Sequence, residues 1–157
     1  MALYSMDARI DTSELKLLVE HPSDPVATAR IETFAVPTGG LDEVRITGTE
    51  LVCRCPVNRQ TDVYDFTIAY RPRPGGRCVE TKSLKYYLMS FRDRAEFAEA
   101  LAVRVMGDVV AALSRDASGA PATPPSTLSV ELVQAVRGGM RITARATYAD
   151  PTIEGES

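Results

Sequence analysis

Two residues of the chain carry side chains suited to covalent chemistry and lie close together in the sequence. Cys55 ends an extended segment and precedes a proline, and Asp62 follows across the polar loop at residues 57–61. A thiolate attacks electrophilic carbon, and a neighbouring carboxyl group can supply or take a proton. The alternative is a structural cysteine followed by a turn aspartate, because free cysteines are mostly packing residues. The spacing alone leaves both interpretations open.

The remaining cysteines and the histidine predict no metal site and no hydrolytic triad. The sequence has three cysteines, an odd number that argues against a disulfide framework, and Cys53 and Cys78 are interpreted as structural. His21 is the only histidine and is expected in an exposed, proline-bounded loop. A zinc site needs more nitrogen and sulfur ligands than these residues provide, and a triad needs a histidine in the core.

A second candidate region begins at Glu80, just before a predicted helix. Lys82 and Lys85 lie near the start of this helix, although lysines usually favour the C-terminal end, where they complement the helix dipole. Exposed N–H groups and two ammonium groups together can bind a phosphate. The alternative is an ordinary amphipathic helix with solvated lysines. The carboxylate of Glu80 could also accept two N–H bonds from a planar ligand edge.

Two further positions could contact a ligand. Glu99 lies early in the second predicted helix, where it could bind the same kind of ligand edge as Glu80 or simply complement the helix dipole. Arg137 is followed by Gly138 and Gly139, and an arginine in a glycine-rich turn can approach a phosphate closely. The alternative for this turn is a plain β-hairpin connection, which the two glycines also favour.

Hydrophobic patterning predicts the elements that must position these residues. Strands are predicted at residues 31–36, 42–47, 51–55, 63–70, 127–136 and 140–147. A short helix is predicted at 13–20, a first core helix at 82–91, and a second from an N-cap at Asp93, with Glu96 in capping-box position, to about residue 114. The second helix is apolar nearly all round, which indicates deep burial or packing against a partner subunit. This order predicts an α+β domain, with an antiparallel sheet and both helices on one face.

Length and composition indicate one globular domain. The 157 residues are 45% hydrophobic and 25% charged, with a net charge of -3 that gives no general attraction for nucleic acid or membrane. The sequence has no apolar run of the ~20 residues that span a bilayer and no signal-peptide pattern, so we expect a cytoplasmic protein. The single domain is predicted to span residues 1–157, with a core at about 30–148 and an acidic, disordered tail at 149–157.

Several segments, in order and spacing, resemble the QueF family, the NADPH-dependent 7-cyano-7-deazaguanine reductases. The matching segments are Cys55-Pro56 with Gln60 and Asp62, Glu80-Thr81-Lys82-Ser83-Leu84-Lys85-Tyr86-Tyr87, Ser90-Phe91-Arg92 with Phe97 and Glu99, and Arg137-Gly138-Gly139. The resemblance runs from about Phe34 to Ile142. Its Glu-x-Lys-Ser-Leu-Lys motif distinguishes the family from related GTP cyclohydrolases and pterin enzymes. The resemblance implies the tunnelling fold in its short, single-module form, whose ββααββ subunits form rings with active sites between subunits.

The resemblance also implies a reaction and a role for each candidate residue. Cys55 would add to the nitrile carbon to give a thioimidate, and Asp62 would protonate the nitrogen. Two NADPH would then reduce the nitrile carbon to the aminomethyl product. The residues that would hold the deazaguanine edge are Glu80 and Glu99. The residues that would bind NADPH are Lys82, Ser83, Lys85, Arg137 and Gly138.

Two positions depart from the family pattern. The family carries a histidine before Glu99, expected to help proton transfer, and this chain has Ala98 there. Residues 58–62 read Asn-Arg-Gln-Thr-Asp, where the family usually has Thr-Gly-Gln-Pro-Asp. The alternatives to a reductase are therefore a family member that adds an amine or water to the thioimidate, and a non-catalytic binder of a deazapurine or pterin. Ala98 favours the first alternative, whereas the intact basic residues favour a reductase, and the intact cysteine and aspartate argue against a binder.

Overall fold

The computed structural model describes residues 30–153, which form six strands and two helices. In chain order these are β1 (Thr33–Ala35), β2 (Val44–Arg54), β3 (Thr61–Arg71), β4 (Arg77–Val79), α1 (Thr81–Met89), α2 (Ala98–Leu113), β5 (Thr127–Gln134) and β6 (Thr143–Ala149). The short helix predicted at residues 13–20 and the single histidine, His21, lie outside the described residues. No helix within residues 30–153 is long and apolar enough to cross a membrane.

Four antiparallel strands form the main sheet in the order β2-β3-β5-β6. One face of this sheet is buried through side chains at alternating positions: Tyr64, Ile68, Tyr70, Leu128, Val130, Leu132, Ala144 and Ala146. Both helices pack into the same hydrophobic cluster, α1 through Leu84 and Leu88 and α2 through Leu101 and Val105. The predicted α+β domain, with an antiparallel sheet and two helices covering it, is confirmed.

The first long strand is continuous, whereas the sequence predicted two strands separated at residues 48–50. A bulge between Gly48 and Leu51 shifts the register of β2 against β3, and Glu50 within it has a positive φ of 62°. The bulge breaks the alternation of side chains and so divides the pattern in the sequence. A Cβ atom at Gly48 would lie 2.4 Å from Cζ of Phe66, so any larger residue would displace that ring.

A short strand missed by the sequence patterning follows the glycine-rich turn at residues 71–76. β4 has three residues and pairs with β1 in a separate two-stranded sheet, with Cys78 opposite Phe34. Three residues are too few for an alternating pattern to be recognised. The backbone N–H of Val79 also donates to the hydroxyl of Tyr70 at 2.9 Å, which ties β4 to the main sheet immediately before α1.

The predicted N-cap of the second helix is wrong. α2 begins at Ala98 with Phe97 as its N-cap residue, and the carboxylate of Asp93 instead pairs with Arg54 at 3.3 Å. The reason is a backbone contact between the helix connection and the end of β2. The N–H of Arg54 donates to the carbonyl of Arg94 at 2.9 Å, and the N–H of Glu96 donates to the carbonyl of Arg54 at 3.1 Å. These hydrogen bonds hold residues 94–96 against the end of β2 and outside the helix.

The two helices differ in how much of their surface is buried. The first helix and the segment after it bury the side chains of Leu84, Tyr87, Leu88 and Phe91. The second helix buries one face and leaves apolar side chains on the other: Val103 is 57% exposed and the preceding Phe97 is 54% exposed. The expectation that this apolar surface packs against a partner subunit stays a prediction.

The disordered tail expected from residue 149 is wrong for residues 149–153. Ala149 is the last residue of β6, and Asp150 is only 3% exposed. The Asp150 carboxylate pairs with Arg73 and accepts the N–H of Thr152 at 3.0 Å, while its own N–H donates to the carbonyl of Ser126 at 2.9 Å. An acidic composition suggested disorder, but a buried ion pair fixes this segment. Residues 154–157 lie outside the described range.

Candidate active site

One cavity of about 220 Å³ brings together four of the nine predicted site residues, including both predicted catalytic residues. Cys55, Asp62, Ala98, Glu99 and Arg137 all line it. They come from the end of β2, the start of β3, the start of α2 and the turn after β5. Because antiparallel strands alternate in direction, the end of β2, the start of β3 and the end of β5 meet at one end of the sheet.

A tight loop presents the thiol of Cys55. The N–H of Cys55 donates to the carbonyl of Gln60 at 2.8 Å, and the N–H of Arg59 donates to the carbonyl of Cys55 at 2.9 Å. Hydrogen bonds from the backbone N–H groups of Asn58 and Val57 lower the pKa of the Cys55 thiol, and the Arg137 guanidinium lowers it further. A lowered pKa increases the thiolate fraction at neutral pH, which is what nucleophilic attack requires.

The other two cysteines have the opposite character. Burial raises the pKa of the Cys53 thiol, which lies 3.9 Å from the hydroxyl of Tyr64. Burial also raises the pKa of the Cys78 thiol. Both side chains are almost fully covered, at 0% and 3% exposure. They fit the interpretation of Cys53 and Cys78 as packing residues, so Cys55 is the one thiol with the environment of a nucleophile.

An ion pair joins Asp62 to Arg137 beside the thiol. Oδ1 of Asp62 lies 2.8 Å from Nε of Arg137, and Asp62 is 5% exposed. The contact is ionic and poorly directed, because neither of these buried atoms makes a well-aligned hydrogen bond to any described residue. Nη1 of Arg137 donates to the side-chain oxygen of Gln60, in the loop that carries the thiol.

The start of α2 closes the cavity. Ala98 is buried at 6% exposure, and Glu99 is exposed at the rim. Glu96 also lines the cavity, and its carboxylate accepts from Nε of Arg104 at 2.9 Å. Sequence reasoning placed Glu96 only in a capping box and missed its position here. Its approach to the cavity depends on the backbone contact with Arg54, for which the sequence carries no signal.

The second predicted region, at the start of α1, does not line this cavity. The carboxylate of Glu80 caps the helix, accepting the N–H of Lys82 at 2.8 Å and the N–H of Ser83 at 2.7 Å, and these bonds lower its pKa. Ser83 is buried, and its hydroxyl donates to the Glu80 carbonyl and accepts the N–H of Glu32, each at 2.8 Å. Lys82 and Lys85 are exposed.

Two other concave surfaces hold three of the five residues expected at the cofactor, and Lys82 and Ser83 line neither of them. A groove of about 450 Å³ between β2 and α1 is lined by Lys85 and Arg92 among mostly apolar side chains. A recess of about 530 Å³ next to the Cys55 cavity is lined by Arg137 and Gly138. Within residues 30–153, no group of three His, Cys, Asp or Glu side chains is arranged to hold a metal ion.

The chain is similar to a family of known proteins. The family model described as QueF-like protein matches residues 62–152. The NADPH-dependent 7-cyano-7-deazaguanine reductase of Frankia casuarinae is 40% identical over 122 residues, which cover 78% of this chain and 87% of that protein. The chain belongs to the QueF family. A second reductase of the same name, from Thioalkalivibrio sulfidiphilus, is 36% identical over 77% of this chain and 85% of its own length.

The QueF-family fold is also found among solved structures. The crystal structure of the archaeosine synthase QueF-Like in the apo form superimposes with a TM-score of 0.59, covering 71% of this chain and 98% of that chain at 20% sequence identity. This likeness confirms the predicted tunnelling fold. The roles of individual residues, and the ring of subunits, stay predictions.

Proposed function

We propose that this chain is an NADPH-dependent nitrile reductase that converts 7-cyano-7-deazaguanine to 7-aminomethyl-7-deazaguanine. The observation that carries the proposal is the meeting of Cys55, whose thiol has a lowered pKa, with the buried carboxylate of Asp62 in one cavity. A cysteine that serves only packing would need neither a lowered thiol pKa nor a carboxylate in the same cavity. The names of the QueF-family relatives support the same substrate and cofactor.

The first step of the proposed reaction is the addition of Cys55 to the nitrile carbon. The Cys55 thiol would give its proton to the Asp62 carboxylate as its sulfur adds to the nitrile carbon, and Asp62 would pass that proton to the nitrile nitrogen, so that the product is a covalent thioimidate. Bound NADPH supplies hydride, and two hydrides with two protons convert a nitrile to a primary amine. The bond between the Cys55 sulfur and the substrate carbon would break during the reduction, and this restores the thiol for the next cycle.

Substrate recognition requires acceptors for the N–H groups of the deazaguanine. Glu99 lies at the rim of the cavity, and Glu80 lies elsewhere on the subunit surface. We therefore assign Glu99 to the cavity of its own subunit, and Glu80 to a cavity completed by a neighbouring subunit in a homo-oligomer. The exposed apolar side chains of Phe97 and Val103, beside the cavity and on α2, support such an interface.

The residues near α1 fit a phosphate-bearing cofactor. Lys82 and Lys85 are exposed cations in the first turns of the helix, and Lys85 lines the adjoining groove with Arg92. Two cations on one surface attract a dinucleotide that carries several negative charges. Ser83 and Gly138 are kept as expected cofactor contacts, although the Ser83 hydroxyl already serves the start of the helix.

The deciding experiment is adduct formation with 7-cyano-7-deazaguanine. Native protein should show a near-UV absorbance change and an increase in intact mass equal to one molecule of 7-cyano-7-deazaguanine. Cys55→Ala should show neither, whereas Cys78→Ala, a matched thiol removal outside the cavity, should behave as native protein does. Absence of an adduct in native protein, or its persistence in Cys55→Ala, refutes the proposal.

A second candidate function is addition of an amine or water to the thioimidate. Ala98 favours it, because it removes a titratable side chain from a cavity lined by three carboxylates, Asp62, Glu96 and Glu99. Following NADPH oxidation separates the two functions. Nitrile-dependent oxidation supports the reductase, and an adduct with an amidine or amide product and no oxidation supports the alternative. Binding of the deazapurine without an adduct would leave only a non-catalytic binder.

A further inference from the structure

The recess next to the Cys55 cavity shares part of its lining with that cavity. Gln134, Arg137 and Ile142 line both spaces, so the recess, of about 530 Å³, adjoins the cavity, of about 220 Å³. Sites for small organic ligands usually measure roughly 300–1,000 Å³. The cavity alone is therefore small for such a ligand, and the recess supplies room for a larger molecule whose reacting end reaches Cys55.

Two loops beside this recess carry unpaired positive charge. Arg59 lies in the loop at residues 56–61, and Arg141 lies in the loop at residues 135–142 and lines the recess. Neither loop contains an aspartate or a glutamate. Both arginines are exposed, and neither forms an ion pair with any of residues 30–153. Because the whole chain has a net charge of -3, this positive charge is a local feature that attracts an anionic group.

The backbone of Arg59 is in the left-handed region, with a φ of 59°. Two hydrogen bonds fix this loop: the N–H of Arg59 donates to the carbonyl of Cys55 at 2.9 Å, and the N–H of Cys55 donates to the carbonyl of Gln60 at 2.8 Å. Glycine adopts this conformation without strain, whereas a residue with a β-carbon does not. The loop that carries Cys55 therefore holds a positive charge on a strained residue, and such strain is concentrated at ligand sites.

We propose that this recess binds a phosphate group of the substrate, so that the preferred substrate is a nucleoside 5′-monophosphate that bears the 7-cyano-7-deazaguanine base. The inference rests on the proposed function, from which it takes the base and the nitrile. The ribose of such a nucleotide is attached at position 9 of the ring system, which one ring atom separates from the nitrile-bearing position 7. With the nitrile at Cys55, the ribose and its phosphate would leave the base beside the thiol and extend into the adjoining recess.

NADPH is the competing source of a phosphate, because Gly138 of this recess is an expected cofactor contact. The lysines expected at the cofactor, Lys82 and Lys85, lie on α1 and line neither the cavity nor the recess. We therefore assign the two phosphates to different cations. Arg59 and Arg141 serve the substrate phosphate, and the two lysines serve the cofactor.

The test compares three nitrile ligands in the absence of NADPH: the free base, its nucleoside and the nucleoside 5′-monophosphate. The rate of adduct formation, followed by near-UV absorbance, should reach half-saturation at a roughly 10- to 100-fold lower concentration of the monophosphate than of the nucleoside. The double variant Arg59→Gly/Arg141→Gln should lose this difference and keep the native affinity for the nucleoside and for NADPH. Arg145→Gln, which removes an exposed arginine from β6, should behave as native protein does.

Two outcomes overturn the proposal. One is equal half-saturation by the nucleoside and its monophosphate in native protein. The other is a double variant that binds NADPH more weakly but keeps the native preference for the monophosphate, since this assigns the two arginines to the cofactor. Both substituted side chains are exposed, and glycine relieves the strain at position 59, so we expect the double variant to fold.

A second measurement does not depend on the nitrile. Guanosine 5′-monophosphate should bind native protein roughly 10- to 100-fold more tightly than guanosine in calorimetry, and the double variant should lose this preference. The preference in a protein that forms no adduct with any of the nitrile ligands would refute the proposed function while supporting the phosphate site. Adducts with all three nitrile ligands and no preference for the phosphate would support the proposed function and overturn the phosphate site.

Discussion

The Cys55 cavity and the start of α1 are both candidate functional regions, but they are built in different ways. The cavity draws its residues from four separate segments of the chain, and they meet only because the strands pair antiparallel. The start of α1 is one continuous segment, from Glu80 to Lys85, whose polar groups serve the helix itself or face solvent. A contiguous motif is easy to recognise, yet this one does not form an enclosed site within one subunit.

The two regions also differ in how their charges are used. In the cavity, Asp62 and Arg137 neutralise one another beside the thiol. At α1, the carboxylate of Glu80 is engaged by backbone N–H groups, and the two lysines have no ion-pair partner among the described residues. The cavity therefore pairs its charges within one subunit, whereas the positive charge at the start of α1 is left exposed to solvent.

The largest effect should come from the acid in the cavity. Asp62→Asn removes the proposed proton carrier, so the rate of adduct formation should fall by about 10²- to 10³-fold. Stopped-flow absorbance with 7-cyano-7-deazaguanine measures it. Asp65→Asn, an exposed aspartate on the same strand, provides the control and should retain the native rate. A native rate in Asp62→Asn would mean that the cavity does not use this carboxylate.

A smaller effect, confined to the cofactor, is expected from the α1 region. Changing both Lys82 and Lys85 to Gln should raise the KM for NADPH by roughly 10- to 100-fold, because charge-assisted contacts to phosphate are lost. The rate of adduct formation should stay native. Arg145→Gln, on the exposed side of β6, controls for a general change in charge. Loss of adduct formation in the double variant would place the lysines at the substrate instead.

The residue at position 98 tests whether the cavity lacks a proton carrier. Ala98→His should raise the rate of nitrile-dependent NADPH oxidation by about tenfold if proton transfer limits the reduction. Ala98→Asn introduces a polar side chain that does not titrate near neutral pH, and it should leave the rate unchanged. Equal rates in both variants would show that the missing histidine does not limit this chain.

The smallest effect should appear at the helix start in acid. Hydrogen bonds from Ser83 and Lys82 hold the pKa of Glu80 below its ordinary value of 4.5. The cap therefore stabilises the folded chain above that value, and this contribution is lost as the pH falls through the lower folded pKa. The amide chemical shifts of Lys82 and Ser83 should follow the titration, and Glu80→Gln should abolish it. The same titration in Glu80→Gln would assign it to another group.

The sequence was most informative where a pattern is local. The first core helix and the strand at 63–70 were predicted close to their observed bounds, because helix and strand periods are carried by neighbouring residues. The N-cap at Asp93 failed because residues 94–96 pair with Arg54, which lies about forty positions earlier in the chain. The bulge in β2 was missed for a similar reason, since it is a shift in the pairing of β2 with the next strand, between Gly48 and Leu51.

In the candidate site too, individual residues could be predicted from the sequence and long-range contacts could not. Cys55, Asp62, Glu99 and Arg137 were all singled out from the sequence, and the structure brings them to one cavity. The ion pair between Asp62 and Arg137 could not be predicted, because 75 positions separate the two residues and only strand pairing brings them together. Whether the residues of α1 join this cavity is a property of the assembly, which one chain does not contain.

The hydrogen bonds between Arg54 and the connection to α2 have a mechanical consequence. Arg54 immediately precedes Cys55, and its backbone is hydrogen-bonded to both Arg94 and Glu96. The end of β2 is therefore joined by two backbone hydrogen bonds to the segment that leads into α2. A displacement of that segment would strain the strand end beside Cys55.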